Sequence, residues 1–269
     1  MKKQIKKLKK IILSYKPIKV SFMVVGAQKG GTSALYSFLK KHPQVSMSNI
    51  KETNFFFTET YWSKGINYKT YHRFYNPSMK RKIYGEASPG YMLNYKEVAP
   101  RIKRYNPNTK LLFILKNPIE RAYSQYKMHV KRYGLDITFS EALDIAFCDE
   151  EKDLIIFDEE SGLSSETIKS YLLFGHYVEQ IKGFKNLFEE KQMLFVLTEE
   201  LYFNHQETMN VICDFLDIHN FNSEHKIIHS NQGDEMDSAS KQRLKKYFKP
   251  HLDELGLLIG KDVSHWKDV

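Results

Sequence analysis

A lysine inside a glycine-rich turn is the first feature of the sequence that predicts chemistry. Residues 26–33, here named the anion loop, read GAQKGGTS and follow the apolar run 22–25. Glycines permit positive φ and let a ligand approach the backbone closely. The lysine is Lys29, and the residues after it are Gly30, Gly31, Thr32 and Ser33. Free N–H groups, two hydroxyls and a lysine at a helix N-terminus predict a bound phosphate-like anion. The competing interpretation is a glycine turn with a surface lysine.

A second group of cationic and hydroxyl side chains lies in KLLFILKNPIERAYSQYKMH. Lys116 follows an apolar run, and Pro118 suits the first position of a helix, where its missing N–H costs nothing. On that helix Arg121, Ser124 and Lys127 recur at three-residue spacing, which places them on nearly one face. Lys116 and Ser124 could both reach one phosphate, so this segment predicts a second anion site.

Two carboxylates are candidates for a general base. Glu52 lies in residues 51–57, KETNFFF, here named the glutamate loop. A carboxylate held between aromatic side chains has a raised pKa and suits base catalysis, whereas the competing interpretation of Glu52 is a surface carboxylate. Glu86 lies in IYGEASPGY after another apolar run, and we expect Glu86 and Ser88 to point into the same crevice. Glu52 is the first candidate and Glu86 the reserve.

These segments need a scaffold that brings their ends together. The predicted strands are 20–25, 82–86, 111–115 and 193–197, most of which are apolar runs. The helical patterns between and after them include 95–105, 166–190, 204–217 and 239–249. This alternation predicts a single α/β domain with a central parallel β-sheet flanked by helices. Ligands of such sheets bind beyond the carboxyl ends of the strands, which is where the chemical segments lie.

Composition narrows the partners and the compartment. The chain has 269 residues and a formal net charge of +9, which favours an anionic ligand. Cys148 and Cys213 are too few and too far apart for a disulfide framework, so we expect a reducing, cytoplasmic location. Nucleic acid is not expected, because the sequence carries no helix-turn-helix, zinc-finger or ribonucleoprotein signature.

The basic N-terminus accounts for much of the net charge. We divide the chain into a leader, 1–17, and a catalytic domain, 18–269. The apolar run 11–13 is too short for a signal sequence or a membrane span. Two interpretations of the leader stay open: a solvated basic segment, or a weak peripheral contact with the anionic inner surface of a membrane.

Three other patterns in the sequence bear on function. The nucleotide motif G-x-x-x-x-G-K-[ST] does not match, because Lys29 precedes the glycine pair, and no strand ends in an aspartate for Mg²⁺. Cys213, His219, His225 and His229 lack zinc-site spacing, so no metal is expected. The acidic stretch 149–160 is a solvated loop or a lid, and an acidic lid would repel a highly sulfated polymer.

Four segments in order resemble sulfotransferases that use 3′-phosphoadenosine 5′-phosphosulfate (PAPS), most closely the heparan sulfate branch and its bacterial relatives. GAQKGGTSAL resembles their 5′-phosphosulfate loop, and LKNPIERAYSQY resembles their 3′-phosphate motif. KETNFF resembles the loop with the catalytic glutamate, and GEASPGY resembles the E-K-T-P-x-Y of the heparan branch. The similarity continues through 170–255, so it covers nearly the whole chain.

This resemblance implies a sulfotransferase fold with a P-loop-like sheet, PAPS as co-substrate and no metal. Lys29 and Glu52 would be catalytic, with Lys29 stabilising the leaving oxygen and Glu52 taking the acceptor proton. The implied cofactor-binding residues are Gln28, Lys29, Gly30, Gly31, Thr32, Ser33, Lys116 and Ser124. The acceptor would be a hydroxyl, less readily an amine, of a carbohydrate, a glycolipid or a small molecule. The rival functions are a P-loop kinase or NTPase and a non-catalytic module that binds sulfated or phosphorylated glycans.

Four positions depart from the family pattern. Lys116 replaces an arginine and loses its bidentate fork, which predicts weaker cofactor binding. Ser33, Asn54 and Ala87 stand where the heparan branch often carries an arginine, a histidine and a lysine. We expect these three positions to face the acceptor or the sulfonate, so they favour a neutral or sparsely charged acceptor.

Overall fold

Alternating apolar residues place the two faces of the first strand, β1 (Val20–Gly26), in two different cores. In this computed structural model, which describes residues 18–63, 65–76, 83–148, 164–222 and 235–268, Met23 and Val25 face one cluster while Phe22 and Val24 face the other. The same alternation continues through β4. A strand that is buried on both faces reads as a continuous apolar run, which is why these strands were predictable.

Five strands form one sheet in the order β2–β3–β1–β4–β5, and each neighbouring pair is parallel. The strands are β1 Val20–Gly26, β2 Val45–Met47, β3 Ile83–Ala87, β4 Lys110–Leu115 and β5 Met193–Leu197. The predicted α/β fold with a central parallel sheet is therefore confirmed. The carboxyl ends of β1, β3, β4 and β5 point to one edge, which the structure uses to gather the predicted site segments.

Helices cover both faces of this sheet. The first half contains α1 Thr32–Lys41, α2 Tyr68–His72, α3 Gly90–Leu93, α4 Tyr95–Tyr105, α5 Pro118–Tyr133 and α6 Phe139–Phe147. The second half contains α7 Ser165–Leu173, α8 Tyr177–Lys185, α9 Thr198–Phe203, α10 His205–Phe215 and α11 Ser238–Ile259. A third apolar cluster packs α5, α6, α7 and α11 together beside the sheet.

Several boundaries differ from the sequence prediction. Strand β2 was not predicted, because three residues carry too little periodicity. The predicted helix 166–190 is wrong as one element, since α7 and α8 are separate, and the predicted helix 204–217 corresponds to α10. The predicted helix 239–249 continues to Ile259 through Pro250, well beyond the predicted end.

The break between α7 and α8 has a packing cause. Gly175 lies between the two helices, and a Cβ at this position would lie 2.7 Å from ring atoms of Phe248 and 3.1 Å from Cβ of Pro118. Only a glycine lets the chain pass this close to α11 and to the start of α5. The turn thereby fixes α7 against α5, where Arg121 lies.

Two predictions fall on residues outside the described ranges: the basic leader 1–17 and the acidic stretch 149–160. Within the described part of the chain, no helix is both long enough and apolar enough to cross a membrane.

Candidate active site

The anion loop turns sharply between β1 and α1 and is tied to β4. The Ala27 N–H donates to the Ile114 carbonyl oxygen at 2.7 Å, and the Gly30 N–H donates to the Ala27 oxygen at 3.0 Å. A Cβ at Gly30 would lie 2.4 Å from the Ile114 oxygen, which is backbone and has no room to move. Glycine is therefore required at this position by close packing against β4.

The N-terminus of α1 is open to a ligand. Gly31 is the N-cap residue with φ of 105°, and no side chain caps the helix within the described chain. The first N–H groups of a helix lack partners inside the helix and carry its positive dipole end. The Thr32 side chain is buried while Ser33 is exposed at this end. The predicted helix start at Thr32 is confirmed, and no side chain of the described residues occupies the N–H groups at this end as a cap.

Thr198 fixes the anion loop from the opposite side and was missed by the sequence prediction. Its hydroxyl lies 2.6 Å from the Gly30 carbonyl oxygen and 3.0 Å from that of Leu115. Thr198 follows β5 directly, so its position just after a predicted strand is the signal that could have identified it. One hydroxyl thereby joins the loop after β1 to the end of β4.

Lys29 lies among four other cationic side chains. Its φ of 67° is left-handed, and its pKa is lowered, first by partial burial and then by the positive charges around it. Those charges belong to Lys116, Arg121, Lys51 and Lys127, and these four residues together with Lys29 are here named the cation cluster. The structure therefore brings together the anion loop, the glutamate loop and the β4–α5 segment, as the sequence predicted. Such a concentration of positive charge favours a ligand with more than one negative group.

Lys116 and Ser124 lie on the β4–α5 segment as predicted. The Lys116 ammonium is half-buried and forms an ion pair with Glu120 at 3.2 Å, while Ser124 is half-buried on α5. Asn117 holds the turn between them: its Oδ1 accepts the Ile119 N–H at 2.9 Å. Its Nδ2 donates to the Trp266 carbonyl oxygen at 3.0 Å, so the C-terminal segment braces this turn.

Arg121 and Lys127 both act electrostatically on Lys29, but Arg121 differs in exposure from the half-buried Ser124 and Lys127. Arg121 is fully buried and donates to Gln125 Oε1 at 2.7 Å and to the Tyr171 carbonyl oxygen. Burial lowers its pKa to about 10. The guanidinium therefore joins α5 to α7, and its positive charge acts on Lys29 from the protein interior.

Glu52 is exposed at the rim of the cation cluster, and its side chain keeps 45% of its accessible surface. It forms an ion pair with Lys51, and its N–H donates to the Ala87 oxygen at 2.9 Å. The expected carboxylate between aromatic rings is wrong: Phe55 and Phe56 are fully buried away from solvent instead. The carboxylate is accessible to a second substrate at the end of β3.

Glu86, the reserve base, is fully buried rather than directed into an open crevice, and so is Ser88. The carboxylate accepts hydrogen bonds from four hydroxyl groups, which belong to Thr53, Tyr71, Ser88 and Tyr91. Burial raises the pKa of Glu86, and these hydrogen bonds oppose the rise. No exposed surface remains on this carboxylate for an acceptor, because its oxygens are enclosed by protein.

The positions that depart from the family pattern do not all face the same space. Ser33 is exposed at the start of α1, and Asn54 is half-buried with a left-handed φ of 50°. Ala87 is fully buried in the apolar cluster with Leu35 and Tyr36, so the expectation that it faces an acceptor is wrong. Ser33 and Asn54 remain candidates for acceptor contact.

The cysteine and histidines considered above for zinc do not form a metal site among the described residues. Among these residues, no three His, Cys, Asp or Glu side chains are arranged to hold a metal ion. Cys213 is buried on α10, and burial raises the pKa of its thiol to about 11. His219 is exposed beyond that helix, and His225 and His229 lie outside the described ranges.

Comparison with known proteins agrees with this architecture. A solved sulfotransferase from Alicyclobacillus acidocaldarius superposes with a TM-score of 0.76 at 26% identity, over 93% of this chain and 100% of that one. The mouse heparan sulfate glucosamine 3-O-sulfotransferase 3B1 is 28% identical over 194 residues, 72% of this chain and 45% of the relative. The human bifunctional heparan sulfate N-deacetylase/N-sulfotransferase 1 is 28% identical over 281 residues, 91% of this chain and 30% of the relative.

This chain spans less than half the length of these two curated relatives. The family model that describes the sulfotransferase domain matches residues 19–256, which include every predicted site residue. With the parallel sheet, the anion loop and the β4–α5 segment in their places, the chain belongs to the sulfotransferase domain family.

Proposed function

We propose that this chain transfers the sulfuryl group of PAPS to a hydroxyl group of an acceptor. The observation that carries the proposal is the cation cluster around Lys29, which lies beside the uncapped N-terminus of α1 and the accessible carboxylate of Glu52. Like charges close together destabilise one another until a counter-ion binds, so the cluster favours a ligand with several negative groups. Sulfotransferases as a family use such a ligand, PAPS.

The residues present fit both ends of this nucleotide. The anion loop offers backbone N–H groups, the Lys29 ammonium and the Ser33 hydroxyl to a 5′-phosphosulfate. Lys116 and Ser124 would hold the 3′-phosphate at the start of α5. Gln28 adds a further polar group, because its Oε1 is buried without a hydrogen-bond partner among the described residues. A buried amide oxygen without a partner is costly, which supports a contact made on ligand binding.

The proposed step forms a bond from the acceptor oxygen to sulfur while the bond from sulfur to the 5′-phosphate oxygen breaks. PAPS supplies the sulfuryl group, and 3′,5′-ADP (PAP) leaves. Lys29 and the N–H groups of the anion loop neutralise the charge that grows on the departing oxygen. Glu52 takes the proton of the acceptor hydroxyl. The burial of Glu86 supports Glu52 as the base, because of these two candidate carboxylates only Glu52 is accessible.

We propose a carbohydrate, a glycolipid or a small molecule as the acceptor. Both curated relatives carry a heparan sulfate activity in their names, which supports a carbohydrate. Of the three positions expected to face the acceptor or the sulfonate, Ser33 and Asn54 are not fully buried, and both are uncharged, which supports a neutral or sparsely charged sugar. We propose a hydroxyl, less readily an amine, as the group that reacts.

Two measurements test this function. In a thermal-shift assay, PAP should raise the Tm far more than 5′-AMP or Mg-ATP, because tighter binding to the folded state gives a larger shift. The enzyme is then incubated with PAPS and, in turn, chitotriose, a heparosan oligosaccharide and a glucosyl glycolipid. PAP should be released with an acceptor that reacts, and mass spectrometry should show that this acceptor has gained one sulfonate. Strongest stabilisation by Mg-ATP would indicate a kinase or NTPase instead. Glycan binding without any PAP response would indicate a non-catalytic module.

A further inference from the structure

A buried carboxylate lies directly beneath the glutamate loop and has no part in the proposed chemistry. Glu86 is fully buried at the end of β3, next to Ala87, whose oxygen holds the Glu52 N–H. Burial of a carboxylate costs free energy unless hydrogen bonds compensate it. Four hydroxyl donors around one buried carboxylate are more than simple packing requires, so the cluster needs an explanation.

The donors to Glu86 come from separate parts of the chain. Tyr71 of α2 donates to Oε1 at 2.6 Å, and Ser88 donates to Oε2 at 2.9 Å. The Tyr91 hydroxyl of α3 lies 3.2 Å from Oε1, and the Thr53 hydroxyl also donates to Oε2. Glu86 is therefore the point at which the glutamate loop, α2 and the segment after β3 are joined.

The glutamate loop requires such an anchor because its backbone is unfavourable. Glu52 has φ of 63° and Asn54 has φ of 50°, both in the left-handed region, which is uncommon for non-glycine residues and is tolerated better by asparagine than by glutamate. Conformations of this kind persist only where the surroundings determine them. Thr53 lies between these two residues, and its side chain is the one that reaches Glu86. Without this hydrogen bond, the residue between Glu52 and Asn54 is no longer attached to Glu86, and the left-handed backbone of these two residues loses its support.

The hydrogen bonds to Glu86 also orient two of the hydroxyl groups. Ser88 and Tyr91 donate their hydrogens to the carboxylate oxygens, which leaves lone pairs of these two hydroxyls for other donors. Those lone pairs accept the Asn54 N–H at 3.3 Å and the Phe56 N–H at 3.2 Å. The carboxylate thus orients two hydroxyls that in turn hold the backbone of the glutamate loop.

We propose that Glu86 is a positioning residue that acts through Thr53 to hold Glu52 at the rim of the cation cluster. The catalytic part of this inference rests on the proposed role of Glu52, whereas the anchoring part does not. Glu86 touches neither ligand nor reacting atoms, since it is enclosed by the four hydroxyls. Its effect is to keep the loop in the one conformation that presents the Glu52 carboxylate.

Hydrogen exchange on the PAP-bound protein tests the anchoring. Thr53→Val removes the hydroxyl at similar volume, Thr53→Ser keeps it, and Thr208→Val removes an equally buried hydroxyl on α10 that donates to the Glu200 oxygen. We expect Thr53→Val to speed exchange in peptides over 51–57 by about tenfold, with β4 peptides changed less than twofold. Thr53→Ser and Thr208→Val should match the wild type. Unchanged exchange in Thr53→Val, or an equal increase throughout the sheet, would overturn the anchoring.

A double-mutant cycle tests the link to Glu52. Turnover of PAPS is measured with the member of the acceptor panel that reacts. Thr53→Val should lower kcat about tenfold in the wild-type background but less than twofold in Glu52→Gln, with PAP affinity within twofold in all variants. An equal loss in both backgrounds would refute positioning of Glu52 while leaving the function intact. A Glu52→Gln variant with wild-type kcat would reject both the base assignment and this link, whereas the exchange result would still decide the anchoring.

If Thr53→Val folds poorly, Tyr91→Phe provides the second variant. It removes one hydroxyl donor to Glu86 and the acceptor of the Phe56 N–H without removing the ring. The expected result is the same local increase in exchange over 51–57. Equal exchange in Tyr91→Phe and the wild type would overturn the proposed network.

Discussion

The Thr198 hydroxyl lies 2.6 Å from the carbonyl oxygen of Gly30, which joins the end of β5 to the anion loop. The same hydroxyl lies 3.0 Å from the Leu115 carbonyl oxygen at the end of β4. Because the hydroxyl is buried, its contact is protected from competition with water. The loop is therefore held from two strands at once, which favours a preformed anion site.

Replacement of Thr198 by valine tests this attachment. Thr198→Val keeps the volume and removes the donor, so we expect PAP affinity to fall about tenfold, because one lost buried hydrogen bond is worth about 1 kcal/mol or more. Isothermal titration with PAP measures the change. Thr208→Val is the matched control, since Thr198 and Thr208 are both 8% exposed. Equal affinities for Thr198→Val and the control would show that the loop does not need this contact.

Lys29→Ala should lower kcat by about a hundredfold or more, because a preorganised charge at the leaving oxygen is lost. Lys41→Ala, on the exposed end of α1, should leave kcat within twofold. PAP release from PAPS on a reacting acceptor gives the rate, and circular dichroism confirms that both variants fold. Wild-type rates for both Lys29→Ala and Glu52→Ala would remove the catalytic assignment.

Lys116→Ala should remove discrimination for the 3′-phosphate. We expect PAP affinity to fall at least about tenfold with 5′-AMP affinity unchanged, because only PAP carries the lost contact. Competition binding of PAP and 5′-AMP provides the ratio. Lys110→Ala, at the opposite end of β4 where Lys110 pairs with Asp217, is the control. A parallel loss of both nucleotides in Lys116→Ala would place the 3′-phosphate elsewhere.

His129 provides a prediction about pH. Burial and the nearby charges of Lys29, Arg132 and Arg121 lower its pKa to about 4, from an ordinary value of about 6.5. The unfolded chain therefore binds more protons between these two values, so His129 lowers the free energy of unfolding as pH falls from about 6.5 to 4.

Urea denaturation at pH 7 and pH 5 measures this effect. The wild type should lose about 1 kcal/mol more than His129→Gln over this interval. His219→Gln, at an exposed position, should lose as much as the wild type. The same loss in His129→Gln and wild type would show that His129 titrates normally.

Strands β1, β4 and β5 were predictable because they are buried and appear as unbroken apolar runs, of which 193–197 matches β5 at both ends. The anion loop was predictable because glycines, Lys29 and a helix start are adjacent in sequence. The cation cluster followed from the rule that ligands lie beyond the carboxyl ends of parallel strands.

What failed depended on contacts between distant residues. Arg121 has the spacing of a ligand-facing residue, yet its guanidinium is used by Gln125 and the Tyr171 oxygen. Glu86 follows a strand as a site residue would, but Thr53 and Tyr71 enclose it. Local spacing gives no information on such partners, because they come from other elements.

The most direct test of the central claim is a crystal structure of this chain with PAP bound. The account predicts the 5′-phosphate within hydrogen-bond distance of Lys29 Nζ and the N–H groups of Gly31–Ser33, and the 3′-phosphate against Lys116 and Ser124. Glu52 should line the open side, where an acceptor would approach the departing group. PAP bound away from the anion loop, or Lys29 turned from the 5′-phosphate, would contradict the account.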